Sequence, residues 1–265
     1  MPVIDIEVTS IKDLVGEVLS LRGKRPKASY LWFRGLNCKT HSLLPKLMRD
    51  SKFEQEVFER EKRLLTRFRQ RSMAYWPAGY PQDDWEHLFA MQHYGLPTRL
   101  LDWSENLFVA TYFALSTSER HHHENGNPCV PVVWCIDPVH WNRSMPGLSE
   151  YGEAIQVMTT ADDELEGYRP ETTRRRSKSP VAIFGAHNSD RIVAQRGTFM
   201  VWGAECKPLH EYCNSENELL WRISLRGQRE ELFHDLESLG FSETMVFPEL
   251  SSLATELSRA EGWRS

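Results

Sequence analysis

Several absences narrow the reading of this chain. No stretch approaches the roughly 18 uninterrupted apolar residues of a membrane-spanning helix, and the mean hydropathy is -0.51. The N-terminus has neither the basic nor the apolar segment of an export signal, so a cytoplasmic protein with no membrane partner is expected. Positive charge is not in excess: 32 Lys and Arg against 37 Asp and Glu give a formal net charge of -5. That removes a general attraction to nucleic-acid backbones and leaves room only for a local basic groove. The 5 cysteines, at 38, 129, 135, 206 and 213, show no Cys-x-x-Cys spacing, and reduced thiols are expected. Walker A, GxGxxG and GxSxG sequences are all missing, which removes the simplest nucleotide-binding and hydrolase readings. Neither His121-His122-His123 nor Cys206, His210 and Cys213 offers a four-ligand metal spacing, so no metal is expected.

What is present suits a globular domain: 265 residues, 40% hydrophobic and 26% charged. The opening of the chain, to Leu21, predicts a short strand and a helix, and Gly23 to Lys27 an exposed turn. Tyr30 to Gly35 reads as a buried strand that ends in Arg34 and bends at Gly35. Phe53, Val57, Leu64 and Phe68 recur at helical spacing among charges that read as a solvated face. Asp83 or Asp84 can cap a helix that buries Trp85, Leu88 and Phe89 and delivers His93 and Tyr94 to its end. Gly95 and Pro97 stop that helix.

Asp102 and Glu105 have capping-box spacing ahead of an almost wholly apolar helix over Leu107 to Leu115. Met91 to Trp103 therefore reads as a junction between two helices. Pro131 to Ile136 reads as a strand, with Pro131 favouring its start or an edge position, and residues 141–180 as a long loop or lid. Ala182-Ile183-Phe184, Arg191 to Gln195 and Thr198 to Trp202 are strand candidates or the turns between them. Leu219 to Ile223 is a further strand. Glu230 to Leu239 reads as a helix that buries Leu232, Phe233, Leu236 and Leu239 and stops at Gly240. The class expected is α+β: a single mixed domain over 1–265 with a central, mainly antiparallel sheet and flanking helices.

Several residues can carry chemistry. An arginine on a buried strand must meet carboxylates or a bound anion, because an unpaired buried ion costs several kcal/mol. Arg34 thus forms either an internal ion pair with Asp102 or a bidentate anion contact. Arg99 within Arg99-Leu100-Leu101-Asp102 has the same two readings. His93, with an ordinary pKa of about 6.5, can move a proton, orient a ribose hydroxyl or simply pack. Tyr94 can stack on a base or close the core. Gln195 to Phe199 can cradle a ligand at Gly197 or form a hairpin. Glu243 can stabilise developing positive charge or cap the chain beside it, and Arg174-Arg175-Arg176 can touch phosphates or stay solvated.

Trp32-Phe33-Arg34-Gly35 and the run from Met91-Gln92-His93-Tyr94-Gly95 to Asp102-Trp103 resemble the signatures of the FRG domain family. Arg191 to Phe199 and Val246-Phe247-Pro248-Glu249-Leu250 resemble its remaining motifs, so that the likeness covers about residues 28–257. The resemblance implies a bacterial or phage protein with a role in toxin or antiviral systems. More distantly, the aromatic-Arg-Gly strand is similar to that of arginine-class ADP-ribosyltransferases. That likeness implies an ADP-ribosyltransferase-like fold and NAD as substrate. Arg34 would clamp the pyrophosphate, His93 and Tyr94 would position nicotinamide or ribose, and Arg99, Gln195 and Thr198 would complete the ligand contacts.

Glu243 would stabilise the oxocarbenium-like state as nicotinamide leaves, with protein, nucleic acid or water as acceptor. The chain departs from that pattern in two places. Thr198 does not reproduce a Ser-Thr-Ser element, and Glu216-Asn217-Glu218 competes with Glu243 for the acidic role. The competing expectation is a non-catalytic sensor that binds a nucleotide or another anionic ligand with Arg34, Arg99 and His93. Geometry separates the two: the transferase reading needs one of Glu216, Glu218 and Glu243 near Arg34.

Overall fold

A computed structural model describes residues 3–25, 30–50, 56–76, 79–116, 129–154, 156–185, 189–213 and 218–263. One seven-stranded mixed sheet organises them. Its strands are β1 (Ile4–Val8), β2 (Trp32–Leu36), β3 (Leu100–Ser104), β4 (Val132–Ile136), β5 (Val181–Ile183), β6 (Gly197–Val201) and β7 (Leu220–Leu225). They run in the order β1-β7-β4-β2-β3-β6-β5. Among these seven strands β1 and β7 pair in parallel and the other neighbours are antiparallel. The expected α+β class is therefore present.

Strand alternation supplies two buried faces. Trp32, Val132, Trp134 and Ile136 point into one core with Trp85 and Phe89, and Phe33, Val133 and Cys135 into another with Leu14 and Ala110. The first face is covered by α2 (Val57–Ser72), α3 (Asp84–His93) and α5 (Pro138–Ser144), the second by α1 (Ile11–Gly23), α4 (Leu107–Leu115) and α7 (Arg229–Ser238). Three shorter or peripheral helices complete the set: α6 (Asp190–Ala194), α8 (Glu243–Val246) and α9 (Leu250–Ala260).

The sheet is not evenly joined. β2 and β4 share five register pairs, as do β3 and β6, whereas β2 and β3 meet at the single pair Phe33 with Ser104. A seam thus divides β1-β7-β4-β2 from β3-β6-β5. Arg34 and Asp102 lie on either side of it.

Local chemistry explains the elements that flank the seam. Asp83 caps α3 by accepting from the Glu86 amide at 2.8 Å, and Gly95, at φ +78°, ends the turn after that helix as expected. Gly35 is not the bend that the sequence predicts; it lies inside β2. A Cβ there would stand 1.7 Å from the Ala110 carbonyl oxygen, so glycine is required because α4 rests directly on the strand.

Other expectations are corrected. Thr98 to Asp102 does not simply bridge two helices, since Leu100–Ser104 is a strand and Asn106, not Asp102, caps α4 through the Phe108 amide. Of the two positions expected for Pro131, the start of the strand holds, since it directly precedes the central β4; Asp190–Ala194, expected as strand or turn, is helical. The predicted lid is packed: Met145, Leu148, Val157, Leu165 and Tyr168 are buried, and the Asn142 side chain exchanges hydrogen bonds with the Ala182 backbone. Leu239 is 64% exposed because α7 turns only Leu232 and Leu236 fully inward. The charged face of α2 is not all solvated, for Glu61 is fully buried. Phe53, the polar connection 119–128 and Glu216 lie outside the described residues.

The cysteines also depart from expectation. Cys38 and Cys129, 91 residues apart in sequence, form a disulfide, while Cys135, Cys206 and Cys213 form none. Neither sequence spacing nor composition marks that pair, since it is brought together by the long-range pairing of β2 with β4.

Candidate functional site

A cavity of about 320 Å³ opens at the seam. β2 supplies Arg34 and Gly35, α3 supplies Gln92 and His93, and β3 supplies Asp102. α4 contributes Phe113, α6 contributes Arg191, and β6 contributes Thr198 and Phe199. Most of the rest of the wall is aromatic or aliphatic, Phe89 and Trp103 among it. A mostly apolar chamber with a few convergent polar groups is the usual form of a small-molecule site.

Arg34 reaches into it from mid-strand, with its side chain 18% exposed. Nη1 donates to the Asp102 backbone oxygen at 2.5 Å, and the Asp102 carboxylate stands 3.9 Å away, too far for a close pair. Nε is buried without a partner. Burial pulls the guanidinium below its ordinary pKa, Asp102 offsets part of that, and Arg49 adds a smaller push in the same direction as burial. Arginine nonetheless stays charged at any physiological pH.

The central motif explains how Asp102 is held. Thr98 Oγ1 donates to the Gln92 side-chain oxygen at 2.5 Å, and Gln92 Nε2 donates to the Asp102 carboxylate at 2.7 Å. A relay thus runs from the end of α3 through β3 to the cavity. Among the described residues that line it, Asp102 is the single acidic side chain, and Arg34 and Arg191 are the two basic ones. His93 completes the polar set. Burial, then the Arg191 charge, hold its imidazole below the usual value, with Glu249 and Asp102 opposing; the neutral ring is favoured near pH 7.

The predicted site residues divide. Arg34, His93, Gln195 and Thr198 line the cavity together. Thr198 is 1% exposed and its Oγ1 has no partner, which makes it a second unsatisfied polar atom in the wall. Gln195 is partly committed, donating from Nε2 to the Val246 oxygen at 3.1 Å. Tyr94 lies outside the wall, 64% exposed, with its ring edge-on to His93 at 4.8 Å.

Arg99 and Glu243 are placed elsewhere. Arg99 is sealed in the core, donating to Glu61 at 2.8 Å and to the carbonyls of Trp202 and Tyr168. Glu243 pairs with Arg259 at 3.0 Å and does not line the cavity. Glu218 is exposed at the approach to β7, where its backbone oxygen accepts from Arg25. Sequence reasoning did not select Arg191 or Gln92 for the site; both sit inside the stretches that carry the family likeness, which was the available signal.

A larger cavity, of about 950 Å³, is lined in part by Arg174, Arg175 and Arg176. Arg176 is spent on the carbonyls of Arg169 and Pro170 and on the Phe58 ring. Among the described residues no group of His, Cys, Asp and Glu has the form of a metal site, and no described helix is long and apolar enough to cross a membrane.

Comparison with known families matches residues 29–123 to the FRG domain. The chain carries an FRG domain. The match contains Phe33-Arg34-Gly35 and the whole Met91 to Trp103 run, so the three letters of the signature now have physical content. In this FRG domain the phenylalanine enters the core, the arginine enters the cavity, and the glycine admits α4. The later stretches, Arg191 to Phe199 and Val246 to Leu250, lie beyond the matched residues. No curated protein and no solved structure matches the chain.

Proposed function

We propose that the FRG domain cavity is a binding site for a nucleotide-class anion, with a phosphate group on Arg34 and a planar ring between the aromatic walls. The observation that carries this reading is the buried Arg34 Nε without a partner, on a guanidinium whose nearest carboxylate is 3.9 Å away. An ion held so loosely in a mostly buried place is costly, and a phosphate offers the two parallel acceptors that would offset the cost. Arg191 adds a second positive charge, and Phe89, Phe113, Phe199 and Trp103 supply ring faces or edges. The volume suits one nucleotide-sized ligand, being at the lower end of the roughly 300–1,000 Å³ of such sites.

NAD cleavage is a second reading, favoured by one observation: the acid beside Arg34 is Asp102, held by Gln92, with the neutral His93 nearby. NAD fits the anion-binding residues of this chain. Glu243 does not suit the role of the acid, being paired with Arg259 outside the cavity. A toxin or antiviral setting belongs with this cleavage reading.

The test is calorimetric titration of the purified chain with ADP and with NAD, with nicotinamide release followed by mass. Wild-type protein is expected to bind ADP. Folded Arg34→Ala is expected to lose at least tenfold in affinity, the loss of a charge-assisted contact worth about 1.5–3 kcal/mol. Equal ADP affinity in Arg34→Ala would refute the site. Nicotinamide release that disappears in Asp102→Asn would favour cleavage over binding alone.

A further inference from the structure

The Cys38–Cys129 disulfide adjoins the cavity wall. Gly35, Leu36 and Asn37 line the cavity, and Cys38 follows directly. The closed loop runs from residue 38 to residue 129 and contains α3, β3 and α4, which supply Gln92, His93, Asp102 and Phe113 to the same wall. Besides the ladder between β2 and β4, one backbone bond, from the Lys39 amide to the Val130 oxygen at 2.9 Å, holds the two cysteine segments together. The two residues differ in exposure: Cys38 is fully buried and Cys129 is partly exposed.

We propose that Cys38 and Cys129 form a thiol–disulfide switch that sets how firmly the Gly35–Asn37 wall of the cavity is held; its effect on ligand affinity rests on the nucleotide reading above. Unequal access fixes the order of events. A low-molecular-weight thiolate attacks the sulfur of the more exposed residue, Cys129, the sulfur–sulfur bond breaks, and the electron pair leaves on Cys38. The Thr40 hydroxyl, 3.2 Å from Cys38 Sγ, donates to that sulfur and stabilises the departing thiolate, which then takes a proton from water. A second small thiol resolves the mixed disulfide on Cys129. The balance is one protein disulfide and two small thiols giving two protein thiols and one small disulfide; oxidation runs the same steps backwards.

Opening the link removes a covalent constraint from the segment between β2 and Thr40 while the sheet pairing of Trp32 to Leu36 with β4 persists. The change is therefore local to the rim. The cavity keeps Arg34 in both states, and the Asn37 side loosens in the reduced one. Cys135 and Cys213 are poor competitors for the exchange, because both are buried and burial pushes both thiols up, Cys213 to about 11.

The experiment equilibrates the full chain in oxidised and reduced glutathione buffers, counts alkylatable thiols by intact mass, and follows amide exchange across residues 36–41. ADP affinity is measured on both forms. The oxidised form is expected to lose two alkylatable thiols, to exchange at least threefold more slowly across 36–41, and to bind ADP at least threefold more tightly. Cys129→Ser is expected to exchange fast in both buffers, with Cys38→Ala as the parallel variant. Failure of the pair to form in oxidised buffer, or identical exchange across 36–41, overturns the switch. Slowed exchange with no ADP binding in either form upholds the switch and overturns the nucleotide reading instead.

Discussion

Replacing Arg99 by methionine separates a scaffold role from a ligand role. The guanidinium donates Nε to Glu61 at 2.8 Å, Nη1 to the Trp202 oxygen at 2.6 Å and Nη2 to the Tyr168 oxygen at 2.8 Å. Both charged side chains are sealed from solvent, at 0% and 1% exposure. Methionine keeps much of the apolar volume and leaves a buried carboxylate and two carbonyl oxygens without these donors. Breaking a buried pair from one side costs about 3–5 kcal/mol, and each orphaned neutral acceptor about 1–3 kcal/mol. Shared relaxation makes the sum less than additive, so the expected loss is about 5 kcal/mol, a large share of the roughly 5–15 kcal/mol that holds a domain. Adding Glu61→Leu removes the stranded charge and should restore about 3 kcal/mol of it. Urea unfolding of wild type, single and double variants measures these differences, and ADP titration of the folded protein at low temperature should show unchanged affinity. A variant within about 1 kcal/mol of wild type that has lost ADP binding would refute the reasoning and return Arg99 to the ligand.

Three other outcomes are expected. Gly35→Ala must move α4 off β2, since the new methyl would sit 1.7 Å from the Ala110 oxygen; thermal unfolding should show a loss at or above the upper end of the about 1–3 kcal/mol typical of overpacking. His93 should titrate below about 6.5 in an NMR pH series. Because the unfolded chain takes up that proton first as pH falls, the stability it contributes is full above about 6.5 and declines as pH drops through the lower folded value. A midpoint at or above the ordinary value would contradict the burial argument. Glu243→Gln should leave ADP affinity within a factor of two in calorimetry, because its carboxylate faces Arg259 outside the cavity; a tenfold change would place it back in the site.

Legibility in the sequence followed the range of the interaction. Elements fixed by neighbours were readable: the Asp83 cap, the Gly95 stop and the apolar α4 all follow from residues a few positions apart. Arg34 was readable because a charge in an aromatic strand demands an explanation; it stands loosely by Asp102 and lines the cavity. Glu61 was not readable. It stands in the run Glu59-Arg60-Glu61-Lys62-Arg63, and although it lies four residues from both Val57 and Leu65 on the buried stripe of α2, its charge masks that place and its partner is 38 residues away. β3 was hidden for a related reason: Leu101 and Trp103 on one side and Leu100 on the other are all buried, so alternation is visible only at Asp102, which points to the cavity. The segment after Ser144 was misread as loose because its short turns bury single residues without a period.

The weak join between β2 and β3 also has a mechanical meaning. With one register pair between them, the two panels of the sheet are joined along their common edge as a book is at its spine, and the Arg34 hydrogen bond to the Asp102 oxygen is a side-chain clasp across that spine. A molecule that touches Arg34 on one panel and Thr198 on the other becomes a strut between them. Under the nucleotide reading, part of its binding energy would go to the alignment of the two panels.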